Sequence, residues 1–212
     1  MTSTPRTRKD PAERRAEILE AAGRLALEQG LERVTMKAVA DELAVRPGLI
    51  SHYFGTIDAL LCEAFAHAAS RERASLLPPE ESSLSPREQL ARFLHRIDGA
   101  ASPNLGRLWL NARHLARYRP GLRQVVEEQE TITRQALTGI VAEGARCGDF
   151  ATDDPEHATV VILVTIDGLD SYSNCEPPSH PTTANLLFDV AETALGLPRN
   201  SLLHATEPDA AG

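Results

Sequence analysis

The chain has 212 residues, 42% of them hydrophobic, which is enough for one large domain or for a small domain followed by a larger one. Its formal net charge of -8 at first argues against a nucleic-acid partner. The charge is uneven, however, because residues 1–60 are neutral overall and residues 61–212 carry the whole acidic excess. The first fifteen residues have a net charge of +3, so a local basic arm precedes the rest of the chain.

The cysteines and the hydropathy pattern exclude several other classes of protein. Cys62, Cys147 and Cys175 are far apart and odd in number, which argues against a secreted disulfide framework and against a zinc site. We find neither a signal peptide nor an apolar run long enough to cross a bilayer. We therefore expect a cytoplasmic protein that has no membrane partner, no metal and no cofactor.

The first predicted helix follows the arm that contains Arg6, Arg8 and Lys9. Asp10 is a good N-cap, and the proline after it suits the first helical position. Gly30 is a natural C-terminal stop.

Two short helices come next and are separated by a tight turn. Thr35 is the predicted N-cap of the first of them, and the turn falls at residues 44–45. The next helix opens at Arg46 and runs to Phe54, and Thr56 caps the helix that follows. This arrangement predicts a helix-turn-helix, the unit that places its second helix in the DNA major groove.

The rest of the chain predicts long helices with proline-rich joints, and no strand or internal repeat is evident. The predicted helices span residues 58–76, 85–101, 104–117, 121–146, 154–172 and 182–195. We therefore predict an all-α fold with three regions. These are a helix-turn-helix domain with its arm (1–57), a helical regulatory and dimerisation domain (58–198) and a flexible tail (199–212).

Several short motifs together give the chain a family resemblance. They are Ile18-Leu19-x-Ala21-Ala22, Gly30-Leu31, Thr35-Met36, Val39-Ala40, Val45, Gly48 and Tyr53-Phe54. Taken together they resemble the N-terminal signature of TetR-family transcriptional regulators. A narrower similarity to the BetI-type branch rests on residues 47–54, 107–110 and 166–169.

The resemblance, together with helical spacing, predicts which residues contact DNA. Ile50 and Phe54 lie four apart and should anchor the reading helix inward. Residues on the other sides of this helix, and at the start of the preceding one, should contact bases or phosphates. They are Thr35, Lys37, Arg46, Pro47, Gly48, Leu49, Ser51, His52 and Tyr53. For His52 and Tyr53, packing against the first helix remains an alternative.

Three positions depart from the family pattern. Ala44 occupies a turn position where glycine is common in the family, so we expect its backbone to be strained there. Arg46 replaces the usual serine, which weakens the cap and places a cation on the DNA side. Ile57 replaces a lysine that the resemblance implies as a phosphate contact, and its absence should lower affinity and salt dependence.

A single reading helix covers few base pairs, so the resemblance implies a homodimer on a near-palindromic operator of double-stranded DNA. The apolar run 160–166 predicts a helix that is buried almost all round. The last helix carries a second apolar stripe. The predicted dimer interface consists of Val160, Leu163, Leu186, Leu187, Val190 and Ala191.

The helical C-terminal region should also bind a small-molecule effector of unknown identity. The candidates are polar or aromatic residues within apolar helices, namely His95, Trp109, Arg113, Asp167 and Asp170. Asp167 directly follows an apolar run, and a buried carboxylate needs a partner. Arg113, a helix N-terminus and a cationic ligand remain open as that partner. Because aromatic residues make up only 4% of the chain, a full aromatic cage is not expected.

Two functional hypotheses follow from the sequence. The first is a sequence-specific DNA-binding regulator, by default a ligand-responsive repressor. The alternative is a helical adaptor whose N-terminal module binds protein. We do not expect an enzyme, because the chain has no phosphate-binding glycine loop, nucleophile elbow or metalloprotease motif.

Overall fold

The computed structural model describes residues 10–99, 103–173, 183 and 185–205, and these parts contain nine α-helices and no strand. The predicted all-α fold is confirmed. The helices are α1 Pro11–Gln29, α2 Met36–Glu42, α3 Pro47–Phe54, α4 Ile57–Leu76, α5 Pro86–Asp98, α6 Pro103–Ala116, α7 Pro120–Cys147, α8 Pro155–Ser173 and α9 Leu186–Ala194, with 3-10 turns at Leu31–Arg33 and Pro79–Glu81. The predicted basic arm and the proline-rich loop 176–181 lie outside the described residues.

The helices divide into two compact units, and the division differs from the predicted boundary at residue 57. The first unit comprises residues 10–68 together with Asn111–Val126. The second comprises Ala69–Leu110 and the described residues from 127 onward. Helix α4 thus contributes its beginning to one unit and its end to the other. A distant stretch of chain also joins the helix-turn-helix, and local sequence patterns carry no sign of this.

The turn between α2 and α3 has a left-handed residue at its centre. The Thr35 side chain caps α2 by accepting a hydrogen bond from the backbone N–H of Ala38 at 3.0 Å. At the other end of α2, the N–H groups of Ala44 and Val45 donate to the carbonyls of Asp41 and Ala40 at 3.1 and 2.9 Å. This is a Schellman motif, which favours glycine at its left-handed position. Ala44 occupies that position with φ 51°.

Replacing Ala44 by glycine should therefore stabilise the protein modestly. A left-handed alanine costs roughly 1–2 kcal/mol, and the greater freedom of glycine in the unfolded chain offsets about half of that. We expect a net gain of about 0.5–1 kcal/mol in the free energy of unfolding, measured by urea denaturation. The control is Ala38→Gly within α2, which should lose about 1 kcal/mol because its backbone is helical. A loss in both variants would contradict the strain at Ala44.

Helix α3 is fixed within the first unit by its two inward residues. Ile50 is fully buried and Phe54 is 6% exposed, as their spacing predicted. The Arg15 guanidinium of α1 lies 4.8 Å from the centre of the Phe54 ring and also pairs with Glu63 of α4. Arg15 therefore ties α1 to both α3 and α4.

The C-terminal end of the described chain packs onto the second unit, which corrects part of the predicted flexible tail. Leu202 is fully buried within the core cluster that includes Phe188 and Leu195. The carboxylate of Glu192, itself only 2% exposed, accepts hydrogen bonds from the N–H groups of Asn200 and Leu202 at 2.7 and 2.8 Å. Residues 199–205 are thus held by a buried side chain, whereas residues 206–212 lie outside the described part of the chain.

Candidate nucleic-acid interface and regulatory region

The face of α3 opposite its buried residues is exposed. Arg46, Pro47, Gly48, Ser51 and His52 all lie in solvent. Gly48 has no atom within 4 Å of the position that a Cβ would occupy, so the backbone at this point is open to close approach. An exposed helical face of this length matches the dimensions of the major groove.

The N-terminal end of α3 carries a cation at its cap position. Arg46 is the N-cap residue in an extended conformation, and its side chain makes no capping hydrogen bond. Pro47 at the first helical position has no N–H to leave unsatisfied. The positive end of the helix dipole and the exposed guanidinium therefore act in the same direction, toward an anionic or acceptor-rich partner.

The start of α2 supplies the second predicted group, but both of its members already have partners within the chain. Thr35 is exposed and serves as the N-cap. Lys37 is exposed and donates to Asp41 at 2.6 Å, and this hydrogen bond raises the pKa of the lysine. Lys37 must exchange this carboxylate for a phosphate in order to contact DNA.

His52, Tyr53 and Leu49 differ in their exposure. His52 is exposed, whereas Tyr53 and Leu49 are half-buried. The rings of His52 and Tyr53 meet edge-on with centroids 5.4 Å apart. The exposure of His52 favours contact with DNA over packing against α1, while half-burial of Tyr53 fits either role.

Helix α8 has an exposed apolar line on the side opposite its core face, so the prediction that it is buried nearly all round is wrong. Ile162 and Ile166 point into the core at 0% and 8% exposure. Val160 and Val164, one turn apart, are 37% and 62% exposed, and Tyr172 further along is 55% exposed. We define Val160, Val164 and Tyr172 as the α8 apolar line.

The predicted dimer residues divide between the core and the surface. Leu187 and Ala191 of α9 are 2% and 0% exposed and belong to the core of their own unit, so these two interface predictions are corrected. Their helical spacing predicts a buried stripe but does not show which neighbour buries it. Leu163, Leu186 and Val190 are half-buried.

A buried carboxylate lies beside the single tryptophan in the second unit. The Nε1–H of Trp109 on α6 donates to Glu72 on α4 at 2.8 Å. Burial is the main cause that raises the pKa of Glu72, and nearby Asp170 and Asp167 add to it while Trp109 and Arg73 oppose it, so that the pKa lies at about 7. Glu72 was not among the predicted effector residues, because the run Arg71-Glu72-Arg73 is typical of a solvated, charged helix face.

The other predicted effector residues are dispersed around this pair. Asp170 packs so closely against Gly106 that an added Cβ would lie 2.4 Å from its carboxyl carbon. The His95 ring lies 4.8 Å from that of Phe188. Arg113 belongs to the stretch Asn111–Val126 of the first unit, whereas the other four members of the predicted set belong to the second unit.

Two family models match the chain and together cover most of these elements. Residues 18–64 match the model for bacterial regulatory proteins of the tetR family. Residues 86–191 match the model for the C-terminal region of BetI-type transcriptional repressors. The chain belongs to the TetR family. It is therefore a DNA-binding transcriptional regulator rather than an enzyme.

Individual relatives agree with this assignment. A BetI regulator from Burkholderia thailandensis is 30% identical over 165 residues, covering 74% of this chain and 79% of the relative. The structure of a Saccharomonospora viridis regulator in complex with choline has a TM-score of 0.70 at 22% identity and covers 85% of this chain and 96% of its own. That of Bacillus subtilis FadR in complex with stearoyl-CoA has a TM-score of 0.64 at 22% identity, covering 85% and 97%.

Within the described parts of this TetR-family chain, every helix is too short or too polar to cross a lipid bilayer. At 22% identity, the two solved structures described above share only their fold with this chain.

The stability of this TetR-family protein should depend on pH through Glu72. The pKa of this carboxyl is raised from 4.5 to about 7 in the folded state. Its effect on the free energy of unfolding is therefore absent below pH 4.5, and the protein loses stability as the pH rises through 7. The loss by pH 8 is on the order of 3 kcal/mol. Glu72→Gln, which keeps an acceptor for Trp109, should match the wild type at pH 4.5 and exceed its unfolding free energy by about that amount at pH 8.

The matched control is Glu143→Gln on α7. Glu143 is exposed and its pKa is lowered by Arg146, so its replacement should not produce a gain at pH 8. Urea denaturation at both pH values measures the difference. Equal stability of Glu72→Gln and the wild type at pH 8 would show that Glu72 ionises without cost.

Proposed function

We propose that the protein is a homodimeric repressor that binds a near-palindromic operator and releases it on binding a small-molecule effector. The observation that carries this proposal is the anchored α3 helix. Its inward residues are buried, while Arg46, Gly48 and Ser51 face outward. A helix held in this way presents a fixed set of side chains to base edges.

The α8 apolar line supports the homodimeric part of the proposal. Single exposed apolar residues are ordinary on protein surfaces, but several of them on one helix, two of which lie on adjacent turns of the same face, favour a surface for association. Val164 is 62% exposed on the side of α8 that faces away from its core. Pairing through this face gives two α3 helices, which read two half-sites about 34–36 Å apart.

The effector proposal is supported by Glu72 and Trp109 in the second unit. The solved relatives described above bind choline in one case and stearoyl-CoA in the other, so the fold alone does not select a ligand class. A buried carboxylate bonded to a tryptophan favours an organic cation over an acyl thioester, because it offers a counter-charge and an aromatic face.

Selection from random duplex DNA followed by a salt titration tests operator binding. An enriched near-palindrome bound by two chains, with affinity falling steeply as salt rises, is the expected result. A folded protein that enriches no sequence would favour the adaptor alternative. Binding of one chain to a single half-site would contradict the proposed homodimer.

Trp109 is the single tryptophan of the chain, so its fluorescence reports on the effector region. We expect choline to change the emission and to release the operator, and Glu72→Gln to reduce both effects. Stearoyl-CoA should leave the emission unchanged. A response to stearoyl-CoA alone would contradict the proposal that the effector is an organic cation. If neither compound changed the emission, neither would bind near Trp109.

A further inference from the structure

A strongly basic stretch lies in the same compact unit as the helix-turn-helix. Residues Asn111–Val126 contain four arginines and one histidine but no aspartate or glutamate, in a chain whose net charge is -8. The stretch covers the end of α6, the start of α7 and the turn between them. The charge of this stretch is thus opposite to that of the whole protein.

Arg123 holds the shape of this turn. Its guanidinium donates to the carbonyls of Ala116 and Arg117 at 3.3 and 3.4 Å, where α6 ends. A cation that bonds the last carbonyls of a helix also complements the helix dipole. Arg123 therefore has a structural role, and the residues it supports, 117–119, project from the turn.

Arg119 reaches from this turn to the beginning of α4. Its guanidinium pairs with the carboxylate of Asp58, and the two side chains are 36% and 64% exposed. Asp58 lies in the first turn of α4. The cap of this helix, Thr56, follows the end of α3 by only two residues. The contact places the Arg119 guanidinium beside the joint that follows the reading helix.

The neighbours of Arg119 extend the same surface. Arg117 is exposed, and Tyr118 is 72% exposed, the highest value among the large hydrophobic side chains that the structure describes. A tyrosine hydroxyl is a common donor to phosphate oxygens. Two arginines with a phenol between them form a surface suited to a phosphodiester backbone.

We propose that Arg117 and Arg119 are a second DNA contact of this unit, binding backbone phosphates of the operator beside the joint between α3 and α4. The proposal rests on the operator-binding function proposed above. A guanidinium binds phosphate in the same bidentate manner as carboxylate, and an exposed ion pair contributes little to stability. Exchanging Asp58 for a phosphate therefore costs little. Such a contact adds affinity without reading sequence.

The test is Arg119→Ala in a salt titration with the selected operator and with random duplex DNA. Each lost phosphate contact lowers the slope of log affinity against log salt by about 0.9, so two protomers lose about 1.8. At 0.15 M salt this corresponds to roughly 30-fold weaker binding. Because phosphates are common to all sequences, operator and random DNA should weaken by the same factor. Arg117→Ala should behave similarly.

Arg146→Ala is the matched control. Arg146 is 73% exposed and pairs with Glu143 on the same helix of the second unit, so its replacement removes an equal charge from an exposed ion pair outside the DNA-binding unit. It should leave the slope unchanged. An equal drop in slope for Arg146→Ala would assign the effect to overall charge and would overturn the proposal.

Asp58→Asn gives an independent measurement that does not require removing Arg119. It releases the guanidinium and removes a competing carboxylate, so operator affinity should rise severalfold. If Arg119→Ala fails to fold, Asp58→Asn and Arg117→Ala decide the question, and wild-type affinity in both overturns it. The proposal is also overturned if the arginine variants fold and keep the wild-type slope of log affinity against log salt. That result is expected if the basic patch binds an acidic protein instead of DNA. Failure of the wild type itself to bind any operator would instead refute the proposed function.

Discussion

Replacing Arg46 by alanine should weaken operator binding about tenfold for each half-site, and so about 100-fold for a dimer. A specific arginine contact is worth about 1–3 kcal/mol, and 1.4 kcal/mol corresponds to a factor of ten. Arg46 is exposed at the N-terminal end of α3, where the dipole of the helix adds to its charge. Titration of the selected operator with wild-type and variant protein measures the change.

The same titration distinguishes a base contact from a phosphate contact at Arg46. A base contact predicts a changed base preference at one position of the half-site, whereas a phosphate contact predicts a lower salt slope with the preference intact. Arg199→Ala is the control, because Arg199 is 78% exposed and pairs with Asp189 in the second unit. Binding by Arg46→Ala that equals this control at every salt concentration would remove Arg46 from the interface.

Replacing Glu192 by alanine should destabilise the protein by about 4 kcal/mol. Its buried carboxylate accepts the N–H groups of Asn200 and Leu202, and each buried donor left without a partner costs about 1–3 kcal/mol. The loss also releases Leu202 from the core. Urea denaturation measures the stability, and hydrogen exchange at the two amides should report local opening at lower denaturant than in the wild type.

Two variants control for this effect. Glu192→Gln keeps one acceptor oxygen and should lose about half as much. Asp189→Ala removes a carboxylate from the same helix that pairs with exposed Arg199, so it should change stability by less than about 1 kcal/mol. If Glu192→Ala were no less stable than Asp189→Ala, the segment after α9 would not depend on this carboxylate.

Features set by neighbouring residues were predictable from the sequence. Asp10 caps α1 and Gly30 ends it with φ 100°, as predicted. Ser85 forms a capping box with Glu88, accepting from its N–H at 3.3 Å while the carboxylate accepts from the N–H of Ser85 at 3.0 Å. Caps and turns act over three or four residues, so a single sequence contains their whole cause.

Features set by distant residues were not predictable. The burial of Glu192 depends on donors eight and ten residues away in a segment that resembles a loose tail. The pKa of Glu72 is raised chiefly by burial, which the tertiary fold sets, and also by Asp170 and Asp167 on α8. The inward orientation of Ile50 and Phe54 was predictable because they are one turn apart, whereas DNA contact by the opposite face of α3 stays a prediction.

Helix α8 shows a different limit of periodicity. Its run of valines, isoleucine and leucine from 160 to 164 contains no polar residue, so the sequence cannot separate a core face from an outer apolar face. The structure separates them, with Ile162 inward and Val164 outward. A helix that is apolar on two sides is predicted to be fully buried, although the structure leaves one side of α8 exposed.

The α8 apolar line also bears on how the protein is made. In the homodimer proposed above, a newly folded chain exposes Val160, Val164 and Tyr172 until it pairs with a second copy. During that interval the apolar line is open to chaperones and to unrelated apolar surfaces. Two chains growing on the same messenger are close to each other from the start, which shortens the interval far more than diffusion between scattered subunits. Under that proposal, a messenger translated by many ribosomes at once should therefore yield more functional dimer than the same number of chains made one at a time.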